Sequence, residues 1–187
     1  MKKSQSNILD MVLCALFAAV CCVVSPITIP IGAVPIAFGI LAVVFTAIIL
    51  GPVKGLISVA VYLGIGLFLP LFSNGQNGFS AYPSHTGGYI WSYLLVVLVV
   101  GALSKINFNN RVVEIVANTV FCFVGVLICY TCGTAQFMLV TGYDLNSSLT
   151  ACVYPFLIFD VAKCVIAGVV APLLKSAIVK SGKLKKA

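Results

Sequence analysis

The stretch YPFLIFDVAKCVIAGVVAPLL, residues 154–174, decides the fold class of this chain. It is apolar over the length of a bilayer-spanning helix, which needs about 20 residues. Asp160 and Lys163 interrupt it in its first half, although a charged side chain inside a membrane is costly. Residues three apart share one face of a helix, so the two charges can neutralise each other and point together into a bundle. The stretch therefore predicts a membrane helix that carries a polar site.

The composition of the whole chain is that of a membrane protein and excludes a soluble domain. The chain has 187 residues, of which 61% are hydrophobic and 8% are charged, and its mean hydropathy is +1.18. Soluble globular domains carry about 25% charged residues. The sequence contains no nucleotide-binding loop, no HExxH and no GxSxG. We therefore expect one all-α membrane domain over residues 1–187, with no metal, no cofactor and no ATPase site of its own.

Apolar stretches separated by proline and glycine predict six membrane spans. Seven of the eight prolines lie at or near the proposed span ends, where a missing N–H does least harm. The first span is expected to be permanent, because its apolar run is long for a cleavable signal peptide. A long outer loop, residues 70–88, is expected between the third and fourth spans. The predicted spans are residues 8–24, 37–50, 53–69, 88–103, 112–132 and 155–179.

The distribution of basic residues predicts the orientation in the membrane. Ten of the eleven basic residues precede the first span, lie in every second connection or lie towards the C-terminus. Because cytoplasmic loops attract Lys and Arg, both termini are expected on the cytoplasmic side of a bacterial cell membrane. The net charge of +7 reflects this sidedness and attraction to anionic lipids, and it does not require a nucleic-acid partner. The ten residues are Lys2, Lys3, Lys54, Lys105, Arg111, Lys175, Lys180, Lys183, Lys185 and Lys186.

The Asp160–Lys163 pair has two interpretations. It can be a structural ion pair that fixes the sixth span against its neighbours. It can also be a ligand site, in which an acceptor and a donor are held ready in a dry cleft. The outer connection FSNGQNGFSAYPSHTGGY, residues 72–89, favours the ligand site, because loops of this length are usually functional or disordered and its aromatic rings argue against disorder.

Several residues of the outer connection are candidates for contacting such a ligand. Asn74 and Asn77 offer both hydrogen-bond donors and acceptors. Gly88 permits close approach of the backbone to a guest molecule or a neighbouring helix. A small-molecule site typically combines apolar walls with a few aimed polar groups. The combination indicates a small, polar and partly ring-shaped solute beneath the outer surface.

Two further patterns each leave alternatives open. Ala15 and Ala19 form a small-xxx-small pair, which allows close helix contact either within the bundle or with a partner protein. The eight cysteines fall in or beside apolar runs, where cysteine behaves as a small hydrophobe. Cys129 and Cys132 nevertheless have the CxxC spacing of a redox pair. An intramembrane redox enzyme that uses this pair is therefore a second hypothesis, from a different functional class.

Four motifs in this order resemble the BioY family, the biotin-binding S components of energy-coupling factor (ECF) transporters. They are TGGY at residues 86–89, DVAK at 160–163, LPLF at 69–72 and the pair Ala15-x-x-x-Ala19. The resemblance covers nearly the whole chain. It implies a six-helix fold with an outward-facing biotin site.

The resemblance also implies roles for individual residues. Asp160, Lys163 and Tyr89 match the family's ligand-binding positions, together with the backbone around Gly88 and a loop asparagine. Both Asn74 and Asn77 could be that asparagine, and Asn77 is preferred. The family usually has Gly or Pro before Thr-Gly-Gly-Tyr, whereas this chain has Ser84 and His85, which leaves the local loop shape open.

The expected partners also follow from the resemblance. Ala15 and Ala19 would dock on the transmembrane coupling subunit, which carries two ATP-binding subunits. The chain would then be a transporter subunit and not an enzyme. An S component for another vitamin, thiamine or riboflavin, and a structural assembly subunit without a ligand remain as alternatives.

Overall fold

The computed structural model describes residues 2–29 and 34–180, with the side chains of residues 8–29 and 34–179. Two short strands, β1 (Thr28–Ile29) and β2 (Ile36–Ala37), pair antiparallel. A 3-10 turn lies at Ser73–Gly75. The helices are α1 (Lys2–Val24), α2 (Gly39–Gly66), α3 (Gly78–Ala81), α4 (Gly87–Leu103), α5 (Arg111–Thr141), α6 (Leu145–Cys152) and α7 (Leu157–Lys180). Six of the predicted basic residues lie outside the described side chains: Lys2, Lys3, Lys180, Lys183, Lys185 and Lys186.

Helix α2 is broken at Gly51, between the predicted second and third spans. Gly51 has φ 76° and ψ −176°, a conformation essentially restricted to glycine, and Pro52 follows it. Beyond the break the chain folds back on itself. A Cβ atom placed on Gly55 would lie 3.7 Å from the Cα atom of Ala47, whereas residues eight apart along a straight helix are about 12 Å apart. Helix α2 therefore consists of two segments, residues 39–50 and 53–66, packed side by side.

Three of the described helices are long and apolar enough to cross a membrane: Gly39–Gly66, Arg111–Thr141 and Leu157–Val179. Two shorter apolar helices cover Ile8–Val24 and Gly87–Leu103. Each predicted apolar stretch thus corresponds to a helix or to one segment of α2. The number of membrane crossings and the orientation of the termini stay predictions.

The structure differs from the sequence-based boundaries on the outer side. Helix α5 continues past Cys132 to Thr141, where Gly142 ends it in the left-handed conformation with φ 73°. The expected outer loop contains the 3-10 turn and α3, and α4 already begins at Gly87. The connection between α5 and α7 contains α6, which Asp144 caps. Hydrogen bonds from Ser147 and Asn146 lower the pKa of the Asp144 carboxyl group.

Helix α2 lies at the centre of the bundle and packs against α1, α4 and α7, while α5 packs against α4, α6 and α7. The centre is apolar and densely filled, and its fully buried side chains include Val43, Ala47, Val59, Val96 and Val97. Many large apolar side chains face outward instead, as expected for a surface in contact with lipid. These exposed residues include Met11, Val61, Leu139, Ile158 and Leu173.

Three basic side chains from different parts of the chain lie at one end of the bundle. The Lys54 ammonium, just after the α2 break, donates to Asp10 of α1 over 2.6 Å. The Lys175 ammonium on α7 donates to the carbonyl of Ser104 over 3.3 Å, next to Lys105. A Cβ atom placed on Gly51 would lie 3.8 Å from the Lys105 Cε atom, so Lys105 lies beside the break in α2 that precedes Lys54. Lys54, Lys105 and Lys175 therefore lie at one end of the fold.

Candidate ligand-binding site

The two charges of α7 form a buried ion pair. The Lys163 Nζ atom lies 2.7 Å from Asp160 Oδ1, and each residue is 7% exposed. The pair has the i, i+3 spacing predicted from the sequence. Asp160 also lies in the first turn of α7, where the helix dipole favours a negative charge.

Groups from two other elements complete the surroundings of the pair. The Tyr130 hydroxyl on α5 donates to Asp160 Oδ2 over 2.5 Å. Lys163 donates to the carbonyl of Ala37 in β2 over 2.9 Å, and its ammonium lies 5.5 Å from the centre of the Phe38 ring. The pair therefore connects α7 with α5 and with the ribbon between α1 and α2.

A cavity that is partly open to solvent lies directly beside the pair. Residues 34–37 and Ile40 form one wall, and side chains of α4, α5 and α7 form the others. Pockets for small molecules commonly combine mostly apolar walls with a few polar groups. The polar or charged residues at its surface are Ser73, Thr86, Tyr89, Tyr93, Tyr130, Asp160 and Lys163.

The structure brings Tyr89 to this cavity together with the pair, whereas Gly88 lies outside the cavity wall. The Tyr89 hydroxyl donates to the carbonyl of Cys152 over 3.3 Å, which fixes the ring beside α6. Gly88 packs against α5, and a Cβ atom there would collide with the carbonyl oxygen of Cys132. Its absent side chain lets α4 approach α5 closely, and this approach places Tyr89.

The two loop asparagines also lie outside the cavity wall, although the neighbouring Ser73 lines it. Asn77 caps α3, because its side-chain oxygen accepts hydrogen bonds from the backbone N–H and the hydroxyl of Ser80, at 3.2 and 3.0 Å. Asn74 adopts a left-handed conformation with φ 60° inside the 3-10 turn. A direct contact of either residue with a ligand stays a prediction.

Comparison with known proteins assigns the family. The model of the BioY family matches residues 1–180 of the chain. The chain belongs to the BioY family. This assignment agrees with the resemblance that the four sequence motifs indicated.

Relatives of this BioY-family chain are similar over most of their length. The biotin transporter BioY of Thermotoga maritima is 31% identical over 163 residues, which cover 86% of this chain and 92% of that protein. Biotin transporter BioY2 of Lactococcus lactis subsp. cremoris is 28% identical and covers 87% of each. The fold matches a solved S-component for biotin from an ECF-type ABC transporter, with a TM-score of 0.83, 23% identity and coverage of 94% of this chain and 95% of the other.

The sequence did not point to some residues of the cavity wall in this BioY-family chain. In the sequence, Tyr130 and Tyr93 lie close to the ends of the predicted spans 112–132 and 88–103, where aromatic rings usually mark the membrane interface. Their position therefore gave no signal of a cavity, and only the extension of α5 to Thr141 places Tyr130 inside a helix. Residues 34–37 belong to a short connection whose sequence carries no such signal, and only the fold brings them to α7.

The cysteines favour packing over redox chemistry. All eight cysteines lie in the described part of the chain and are free thiols. Cys129 is buried in the cavity wall, and its thiol lies 3.8 Å from the carbonyl of Tyr89. Its side chain thus fills space between α5 and α4. The hypothesis of an intramembrane redox enzyme gains nothing from this arrangement.

The two alanines of α1 lie on its outer surface. Ala15 and Ala19 are exposed, whereas the neighbouring Leu13, Phe17 and Ala18 are buried in the bundle. Within the described residues, the small-xxx-small pair therefore does not serve a contact inside the bundle. It leaves a shallow, apolar surface on α1.

Proposed function

We propose that this BioY-family chain is the substrate-binding membrane subunit, or S component, of an ECF-type importer and that it binds biotin from the outer side. The observation that carries this proposal is the buried Asp160–Lys163 pair beside a cavity. The names of the relatives and the fold match support biotin as the ligand and the S component as the role. The proposed activity is binding and transport and not catalysis.

The chemistry of the cavity suits biotin. Its ureido group has one carbonyl acceptor and two N–H donors, its thioether ring is apolar, and its tail ends in a carboxylate. Asp160 can accept a ureido N–H, and the Lys163 ammonium can donate to an oxygen of the ligand. Tyr130 holds the Asp160 carboxylate through Oδ2, so it acts as a positioning residue. The apolar walls beside the pair are suited to the thioether ring.

The predicted topology determines the side of the membrane on which the cavity lies. We count the two segments of α2 as the second and third of six spans, with both termini in the cytoplasm. The position of Lys54, Lys105 and Lys175 at one end of the bundle supports this orientation. The cavity then lies on the outer side of a bacterial cell membrane, beneath residues 70–88.

Energy for uptake has to come from partner proteins in this proposal. The exposed Ala15 and Ala19 surface is the proposed docking face for the transmembrane coupling subunit, which works with two ATP-binding subunits. Ala15→Trp should reduce co-purification with the coupling subunit and leave biotin affinity unchanged. Val20→Trp, on another exposed part of α1, is the matched control. Equal losses with both variants would argue against this face.

Isothermal titration of the purified chain with biotin, thiamine and riboflavin tests the ligand. We expect heat with biotin alone. Asp160→Asn should weaken biotin binding about 100-fold, because a hydrogen bond to a charged group contributes about 1.5–3 kcal/mol and an uncompensated Lys163 remains. Heat with another vitamin and none with biotin would show that the other vitamin is the ligand. No heat and no thermal stabilisation with any vitamin would favour an assembly subunit.

A further inference from the structure

The side-chain amide of Gln136 on α5 attaches the outer loop to the bundle. Its Nε2 atom donates to the carbonyls of Tyr82 and Ser84, over 2.7 and 2.8 Å. Both partners are carbonyl oxygens, which only accept hydrogen bonds, so the nitrogen of the amide has to face them. The two bonds span 54 and 52 residues of sequence, and they make the position of the loop depend on α5.

The first residue of α4 makes room for this contact. A Cβ atom on Gly87 would collide with the Gln136 amide nitrogen and with the carbonyl oxygen of Tyr82. The Tyr82 hydroxyl donates in turn to the carbonyl of Leu63 on the second segment of α2, over 2.6 Å. The end of the outer loop is therefore attached at two points, to α5 through Gln136 and to α2 through Tyr82.

Two hydroxyl groups lead from this contact to the ligand cavity. The Ser84 hydroxyl donates its one hydrogen to the carbonyl of Ala81 over 2.7 Å. In the 2.9 Å hydrogen bond between the hydroxyls of Ser84 and Thr86, Thr86 is therefore the donor, because a hydroxyl has a single hydrogen to give. Thr86 lines the cavity, and its oxygen keeps the capacity to accept a hydrogen bond from a ligand.

We propose that Gln136 is a positioning residue for ligand binding, which fixes residues 82–86 so that Thr86 stays in the cavity wall as a hydrogen-bond acceptor. Gln136 itself lies outside the cavity wall, so it acts through the loop and not by contact with the ligand. This inference rests on the proposed function, in which the cavity binds biotin. A loop that holds its binding position for only part of the time lowers the apparent affinity by that fraction.

Isothermal titration of Gln136→Met with biotin tests this role, because methionine has a similar size but cannot donate a hydrogen bond. We expect the affinity to fall about tenfold, as it would if the loop held its position for about a tenth of the time. Gln136→Asn, whose amide is one methylene group short of the two carbonyls, should also weaken binding. Gln76→Met, at a half-buried residue of the same loop, is the matched control and should bind like the wild type. Wild-type affinity in Gln136→Met, or in Gln136→Asn if the methionine variant does not fold, would overturn the proposal.

A double-mutant cycle with Thr86→Val separates positioning from a general contribution to stability. Valine keeps the branched shape of threonine and lacks its hydroxyl. Because Gln136 acts through Thr86 in this proposal, Gln136→Met should weaken biotin binding much less in the Thr86→Val background than in the wild type. A full tenfold loss in both backgrounds would contradict the route through Thr86.

Hydrogen exchange of the ligand-free chain gives a readout that does not depend on biotin. The backbone N–H groups of Ser84, Thr86 and Gly87 are hydrogen-bonded within the attached segment, and local opening exposes such groups to exchange. Their exchange should become faster in Gln136→Met and stay unchanged in Gln76→Met. Unchanged exchange in Gln136→Met would contradict the attachment itself, whereas a wild-type chain that does not bind biotin would contradict the proposed function.

Discussion

The two ends of the bundle each hold an ion pair of similar length in a different environment. Near the cavity, Asp160 and Lys163 are 2.7 Å apart, and their side chains are 10% and 8% exposed. At the basic end, Asp10 and Lys54 are 2.6 Å apart, and their side chains are 32% and 33% exposed. Distance alone therefore does not distinguish the two pairs, whereas burial does.

This difference bears on the role of each pair. An exposed pair contributes about 0–1 kcal/mol to stability, which suits a contact that holds α1 beside α2. A buried pair loses so much hydration that apolar residues of similar volume are often equally or more stabilising. Stability is thus a weak reason for the pair on α7. The cavity beside it supplies a better reason, because a guest molecule can use the remaining hydrogen-bonding capacity of both groups.

The largest expected effect separates two Lys→Ala variants. Lys163→Ala should reduce stability by about 3–5 kcal/mol, because it leaves the Asp160 charge buried and unpaired, and it should abolish detectable biotin binding. Lys54→Ala, the matched control, should cost at most about 1 kcal/mol and leave biotin affinity unchanged. Chemical denaturation and isothermal titration measure both quantities. Equal effects of the two variants on stability and biotin binding would contradict the different roles assigned to the two ion pairs.

A smaller effect is expected from the third member of the buried group. Tyr130→Phe keeps the ring and removes only the hydroxyl that donates to Asp160 Oδ2. We expect biotin affinity to fall about tenfold, since a hydrogen bond to a charged group contributes about 1.5–3 kcal/mol. Tyr143→Phe, at an exposed ring, should change nothing. Wild-type affinity in Tyr130→Phe would show that Asp160 needs no positioning.

Salt concentration should affect the stability contributions of the two ion pairs differently. Asp10→Asn should lower the melting temperature by less than about 4 °C in low salt, the shift for about 1 kcal/mol in a chain of this size. The difference from wild type should shrink at 1 M salt, where the Debye length is about 3 Å. The stability loss of Asp160→Asn should persist under the same conditions. A loss at Asp160 that salt removes would indicate that water and ions reach the pair.

The smallest effect concerns Arg111 and Glu114, which are 3.1 Å apart with side chains 41% and 29% exposed. Pairs of this i, i+3 type stabilise a helix by about 0.2–0.5 kcal/mol. Arg111→Gln should therefore change the melting temperature by less than about 2 °C, without an effect on biotin binding. A larger loss would mean that this end of α5 carries an interaction beyond the ion pair.

Local sequence patterns predicted much of the fold and the pairing of Asp160 with Lys163. The apolar stretches correspond to α1, the two segments of α2, α4, α5 and α7, because hydrophobic runs report helices directly. The Gly51–Pro52 punctuation marked the break in α2. The spacing of Asp160 and Lys163 gave their shared face, because an i, i+3 relation depends on one helix only.

The remaining parts of the site depend on contacts between distant residues. The carbonyl of Ala37 meets Lys163 across a sequence separation of 126 residues, and Tyr130 meets Asp160 across 30. No periodicity encodes such contacts. The preferred loop residue Asn77 shows a second limit of the sequence. An asparagine amide suits a ligand contact and a helix cap equally well, and in the structure Asn77 caps α3.

The most direct test replaces the buried pair with apolar residues of similar size, as Asp160→Leu combined with Lys163→Met. Without charges, the double variant avoids the cost of burying them, so its stability should equal or exceed that of the wild type. Isothermal titration should at the same time detect no biotin binding, because the ligand loses both polar partners. Biotin binding at wild-type affinity in this folded double variant would contradict the assignment of the pair to the ligand.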